Sequence, residues 1–101
     1  MASKLVLVTG ASSGIGAATA KLYGARGAHV LLLARNAAKL DEVAAAIRRG
    51  GGLATSYAVD LADANAIAET SARIKSEAGT PDILINNAGA GRWLSLLETS
   101  A

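Results

Sequence analysis

Apolar runs and helical stripes alternate along the chain with unusual regularity. Leu5-Val6-Leu7-Val8 is continuous apolar sequence closed by Thr9-Gly10, the pattern of a strand buried on both faces. A helix is expected from Gly14 to about Ala25, with Ile15, Ala18, Leu22 and Ala25 as its inward stripe and Gly27 as its stop. His29-Val30-Leu31-Leu32-Leu33-Ala34 predicts a second buried strand. Asn36 then caps a helix through Arg49, with Leu40, Val43, Ala44 and Ile47 at helical spacing. Arg48 and Arg49 suit the dipole of its last turn, and Gly50-Gly51-Gly52 ends it. A third strand is expected over Leu53 to Val59. A third helix follows from an Asp63 cap to about Ala78, with Ile67 and Ile74 inward, until Gly79-Thr80-Pro81 breaks it. Asp82 to Asn86 reads as a fourth strand.

Strands separated by helices and joined by short connections predict a parallel sheet with helices on both faces. A doubly wound path gives the order 3-2-1-4. The 101 residues fit one small domain, and 51% hydrophobic residues exclude a disordered chain. Ten basic against eight acidic side chains give +2, too mild a bias for a nucleic-acid or anionic-membrane surface. The absence of Cys excludes disulfides, thiolate metal sites and a Cys nucleophile, and a single His argues against zinc. With no apolar run near the roughly 18 residues of a membrane span and no signal-peptide pattern, a soluble, cytoplasmic chain is expected.

The densest chemical signal is Thr9-Gly10-Ala11-Ser12-Ser13-Gly14-Ile15-Gly16 at a strand–loop–helix junction. Gly10 lets the chain turn sharply, while Gly14 and Gly16 clear side chains from a helix N-terminus whose N–H groups and dipole favour an anion. The strand–loop–helix context separates it from an ordinary βα turn, and no Gly-Lys-Ser/Thr follows to make a P-loop. This glycine pattern, Asp60 after the third strand and Asn86-Asn87-Ala88-Gly89 after the fourth together resemble the short-chain dehydrogenase/reductase family over essentially the whole chain. The resemblance implies a Rossmann fold binding NAD(H) or NADP(H). It implies that Gly10, Ser12, Ser13, Gly14, Ile15 and Gly16 meet the phosphates and ribose, and that Asp60 and Leu61 hold the adenine. By the same resemblance Asn86, Ala88 and Gly89 line the adenosine ribose and the approach to the nicotinamide. Asp60 read alone is equally a loop or capping acid, and Asn86-Asn87 alone equally a turn.

Charge argues the choice of cofactor. A carboxylate at the end of the second strand suits the 2′-hydroxyl of NAD, but Ala34 stands there and Arg35 follows. A guanidinium can make paired bonds to a 2′-phosphate, with Ser13 adding a hydroxyl, so NADP is expected in preference to NAD.

The family's catalytic Tyr-x-x-x-Lys is absent: Gly27 stands four residues after Tyr23, and Leu61 four after Tyr57. Both tyrosines are read as packing residues with wet hydroxyls, and His29 as a surface or strand-edge residue. No catalytic residue is therefore assigned. The sequence is read as a half-domain spanning 1–101, truncated after the fourth strand, from a reductase acting on carbonyl or hydroxyl groups. Ile83-Leu84-Ile85 is expected as an unprotected edge, and Trp93, Leu94, Leu96 and Leu97 as an uncovered apolar group. Its partners would be the dinucleotide and either a missing carboxy-terminal half or a second copy joined through the fourth strand. A non-catalytic dinucleotide-binding or interaction module and an inactive structural fragment remain the other readings.

Overall fold

The computed structural model describes residues 4–12 and 14–86. Seven elements follow one another: β1 (Leu5–Thr9), α1 (Gly14–Ala25), β2 (His29–Ala34), α2 (Ala37–Arg49), β3 (Leu53–Ala58), α3 (Ala64–Glu77) and β4 (Ile83–Asn86). All strand pairs are parallel and the sheet order is β3-β2-β1-β4, as the alternation of elements predicts.

Continuous apolar strands are needed because both faces of the sheet are covered. Val6, Val8, Val30, Leu32 and Ala54 turn to one face, where Ala20 of α1 and Leu40, Val43, Ala44 and Ile47 of α2 bury them. Leu5, Leu7, Leu31, Leu33 and Tyr57 turn to the other, against Ile67 and Ile74 of α3. Each fully buried Leu or Ile contributes about 1.5–3 kcal/mol, so these two layers hold the sheet. The caps fall where the sequence puts them. Asn36 accepts from the Lys39 N–H at 3.0 Å, and Asp63 accepts from the Asn65 and Ala66 N–H groups at 3.0 and 3.2 Å. Asp82 precedes β4 instead of beginning it. Its carboxylate accepts from the Leu5 N–H and its own N–H donates to the Leu5 carbonyl, both at 2.8 Å.

The expected inward stripe of α1 is corrected. Ile15 and Leu22 are 78% and 52% exposed, and Ala18 and Ala25 also face out. The buried stripe is Gly16, Ala20 and Gly24. The helix lies so close to its neighbours that a Cβ on residue 24 would stand 2.7 Å from Cγ2 of Ile47 on α2. Small residues, not large ones, therefore form its contact surface.

Arg48 does more than complement the dipole of α2: its guanidinium donates to the Ala54 carbonyl. At the other end of the sheet β4 is an outer strand, with Ile83, Leu84 and Ile85 half-buried. Trp93, Leu94, Leu96 and Leu97 lie outside the described residues.

Candidate functional site

Three strands end on one side of the sheet, and the chain leaving them encloses an open cleft of about 510 Å³. Gly10 and Ser12 come from the β1–α1 turn, Ala34, Arg35 and Asn36 from the β2–α2 junction, and Asp60, Leu61 and Ala62 from the segment after β3. The carboxyl ends of parallel strands are where α/β sheets hold ligands, and a volume of this order accommodates a small-molecule moiety.

The β1–α1 turn depends on backbone geometry that only glycine adopts readily. Gly10 has φ +64° and Gly14 φ +58°, both left-handed. The Ala11 N–H donates to the Leu33 carbonyl at 3.2 Å, fixing the turn to β2. Gly14 has open space around it, as required of a residue that leaves room for a ligand. Gly16 has a different reason to be glycine. A Cβ there would lie 2.0 Å from the Gly10 carbonyl oxygen, so its missing side chain admits the protein's own turn and not an anion. Ser12 is half-buried on the cleft wall, while Ile15 stands out from it, exposed.

Arg35 extends from the end of β2 and is exposed, directly after the buried Ala34. Among the described residues it makes no hydrogen bond or ion pair, so its charge is free for a ligand. Asp60 is exposed on the opposite wall. One carboxylate oxygen accepts from the Ala62 N–H at 2.9 Å, and its backbone carbonyl accepts from Asp63 N–H at 3.0 Å. The carboxylate thus shapes the wall formed by Leu61 and Ala62. Leu61 is half-buried against the α3-side core.

Asn86 ends β4, outside the group lining the cleft, and its side-chain oxygen accepts from the Thr9 hydroxyl at 3.0 Å. Ser13, Asn87, Ala88 and Gly89 lie outside the described residues. The structure therefore gathers Gly10, Ser12, Arg35, Asp60 and Leu61 around one space, with Gly14, Ile15 and Gly16 on the adjoining helix start. Sequence reasoning missed Asn36 and Ala62 as cleft residues and Thr9 as the partner of Asn86. Asn36 was legible, since it follows Arg35 directly, but its capping pattern accounted for it fully.

The wet hydroxyl expected of Tyr57 is corrected. The ring is buried and its hydroxyl donates to Oε1 of Glu77 at 2.9 Å. Arg73 lies 5.2 Å above the ring and pairs with Glu77 at 3.4 Å. Burial, then the bond to Glu77 and its negative charge, push the phenol up to about 12, against the smaller opposing effect of Arg73. His29 begins β2, at the end of the sheet away from the cleft, with Nε2 3.0 Å from the Thr55 hydroxyl, and burial lowers its pKa. Among the described residues no group of three or more His, Asp or Glu side chains could hold a metal ion, and no helix is long and apolar enough to cross a membrane.

Comparison with known proteins shows the family and the fold. The family model described as short chain dehydrogenase matches residues 4–101. A fatty acyl-CoA reductase of Acinetobacter baylyi is 52% identical over 86 residues, which are 85% of this chain and 29% of that protein. A crystal structure of a metagenomic short-chain oxidoreductase in complex with NADP superposes with a TM-score of 0.85 at 44% identity, covering 88% of this chain and 40% of that one. A putative D-mannonate oxidoreductase from Haemophilus influenza with bound NAD gives a TM-score of 0.78 at 32% identity, covering 83% and 30%. The chain spans well under half the length of each of these relatives.

Proposed function

The chain belongs to the short-chain dehydrogenase family, and on that premise we propose that it supplies the NADP(H)-binding portion of an oxidoreductase acting on a carbonyl or alcohol. When bound, the dinucleotide would give a hydride to a carbonyl or take one from an alcohol. Binding falls to the chain's own residues, and those present fit such a ligand. The left-handed Gly10–Gly14 turn and the start of α1 offer backbone N–H groups to phosphate. Leu61 and Ala62, with the carboxylate of Asp60, offer a wall for adenine. In this reading Ser12, Ser13, Ile15, Gly16, Asn86, Ala88 and Gly89 complete the binding surface. A location in the cytoplasm belongs to the same proposal.

The observation that carries the reading is the guanidinium of Arg35, unpaired among the described residues, on the wall of the cleft and beside Ala34 where a carboxylate would favour NAD. The similar structures hold either cofactor, so the choice rests on this residue. Dissociation constants for NADPH and NADH on wild type and Arg35→Ala test it. Loss of a charged hydrogen bond of about 1.5–3 kcal/mol weakens NADPH about 10- to 100-fold and leaves NADH nearly unchanged. An NADPH:NADH ratio unmoved by the substitution would overturn the preference.

We further propose that turnover requires residues beyond this chain. Tyr57, the buried tyrosine, has a phenol shifted away from neutral pH, opposite to what a proton donor working near pH 7 needs. NADPH with a panel of ketones and aldehydes is expected to give no rate above the blank. The half-buried apolar β4, an outer strand among the described residues, is proposed to pair with a strand from further polypeptide or from a second copy.

A further inference from the structure

The other outer strand of the sheet, β3, is not simply open. In a parallel ladder, alternate residues turn both backbone groups to the same neighbour. The Val59 N–H donates to the Ala34 carbonyl at 2.9 Å, which sets the phase: Leu53, Thr55 and Tyr57 face β2, and Ala54, Ser56 and Ala58 turn their N–H and C=O outward. Two side chains of α2 reach that edge. Arg48 donates from its guanidinium to the outward Ala54 carbonyl, and Asp41 accepts from the Ser56 hydroxyl at 3.0 Å. Seven residues separate Asp41 from Arg48, about two helical turns, so both leave the same side of α2.

We infer that Arg48 keeps the outer edge of β3 closed to strand addition by a second copy of this chain. The strand itself has no other defence of that kind. Its outward-facing residues are Ala54, Ser56 and Ala58, short and uncharged, with neither Lys nor Pro among them. Two such edges are self-complementary. Antiparallel pairing about Ser56 sets the Ala54 carbonyl of one copy against the Ala58 N–H of the other, and the same in reverse. With Arg48 in place the Ala54 carbonyls of both copies are already used, and each copy brings a guanidinium to the seam. Pairing must then strip a charge-assisted hydrogen bond on each side.

The test is amide hydrogen exchange at two protein concentrations, with sedimentation velocity alongside. Arg48 is exposed, so Arg48→Ala leaves the fold intact. That variant is expected to slow exchange at the Ser56 and Ala58 amides about tenfold at the higher concentration only, with a heavier sedimenting species. Ala58→Pro in the same background removes an outward donor that the native ladder does not use, and is expected to abolish the change. Exchange at Ser56 and Ala58 in Arg48→Ala that stays independent of concentration overturns the inference. So does slowing confined to Leu84 on β4, or association that survives Ala58→Pro.

Discussion

The two faces of the sheet are built on opposite principles. On the face covered by α1 and α2 the contacts of α1 are made by absence. Gly16 lies under the Gly10 carbonyl and Gly24 against Ile47, with no room for a methyl at either. On the face covered by α3 the contacts are made by bulk and by a polar clasp: Leu7, Leu31, Ile67 and Ile74 fill the layer, and Tyr57 reaches Glu77. The packing of α1 is broken by adding atoms and that of α3 by removing them. The face that tolerates no addition is the one continuous with the candidate cofactor turn, so the geometry of Gly10 is set by the closeness of α1.

The largest effect is expected at Gly16→Ala, whose methyl meets backbone that cannot step aside. Urea unfolding should show a loss of about 4 kcal/mol or more, or no folded chain at all. Ile67→Ala, on the opposite face, leaves a cavity and should cost about 3 kcal/mol. Gly24→Ala meets only a side chain and should cost about 2 kcal/mol. Combining it with Ile47→Ala sharpens the comparison, because the second deletion makes room for the first addition. The double variant should be more stable than the sum of the singles predicts, and strict additivity would mean the two residues do not compete for space.

Tyr57→Phe gives the smallest change, about 1 kcal/mol near neutral pH. Its signature is the pH dependence. The folded phenol is raised to about 12 from an ordinary value of 10.0, so between these the folded state holds a proton that the unfolded state has released. Stability is therefore present in full below about pH 10 and falls as pH rises toward 12. Replacing Tyr57 by Phe should flatten that part of the curve, and an unaltered slope would show that another group produces it.

The size of the residues that make each helix's contacts also explains what the sequence revealed. In α2 the largest apolar residues, Leu40, Val43 and Ile47, are the buried ones, so helical spacing identifies the contact face directly. In α1 the same rule selects Ile15 and Leu22, which are exposed, because contact there needs the smallest residues and hydrophobicity ranks glycine low. The strand order was legible because alternation of strands and helices leaves a doubly wound sheet few other paths. Arg35 and Asp60 were legible from their position just beyond strand ends. The Tyr57–Glu77 bond and the reach of Arg48 to Ala54 were not. The first spans 20 residues, and the second depends on which way a carbonyl faces, which no side-chain pattern records.

The bond between Leu5 and the carboxylate of Asp82 joins positions 77 residues apart. β1 lies between two neighbours, yet the one on one side, β4, is the last of the four described strands to be synthesised. At about 5–20 residues per second, a ribosome takes roughly 4–15 s to go from one partner to the other. Throughout that interval the nascent chain can pair β1 with β2 but leaves the other side of β1 bare, with the backbone groups of Leu5, Leu7 and Thr9 waiting. Emergence of Asp82 and β4 is thus the event that pairs the second side of β1, and a pause in translation before residue 82 prolongs the life of a species in which β1 is temporarily an edge.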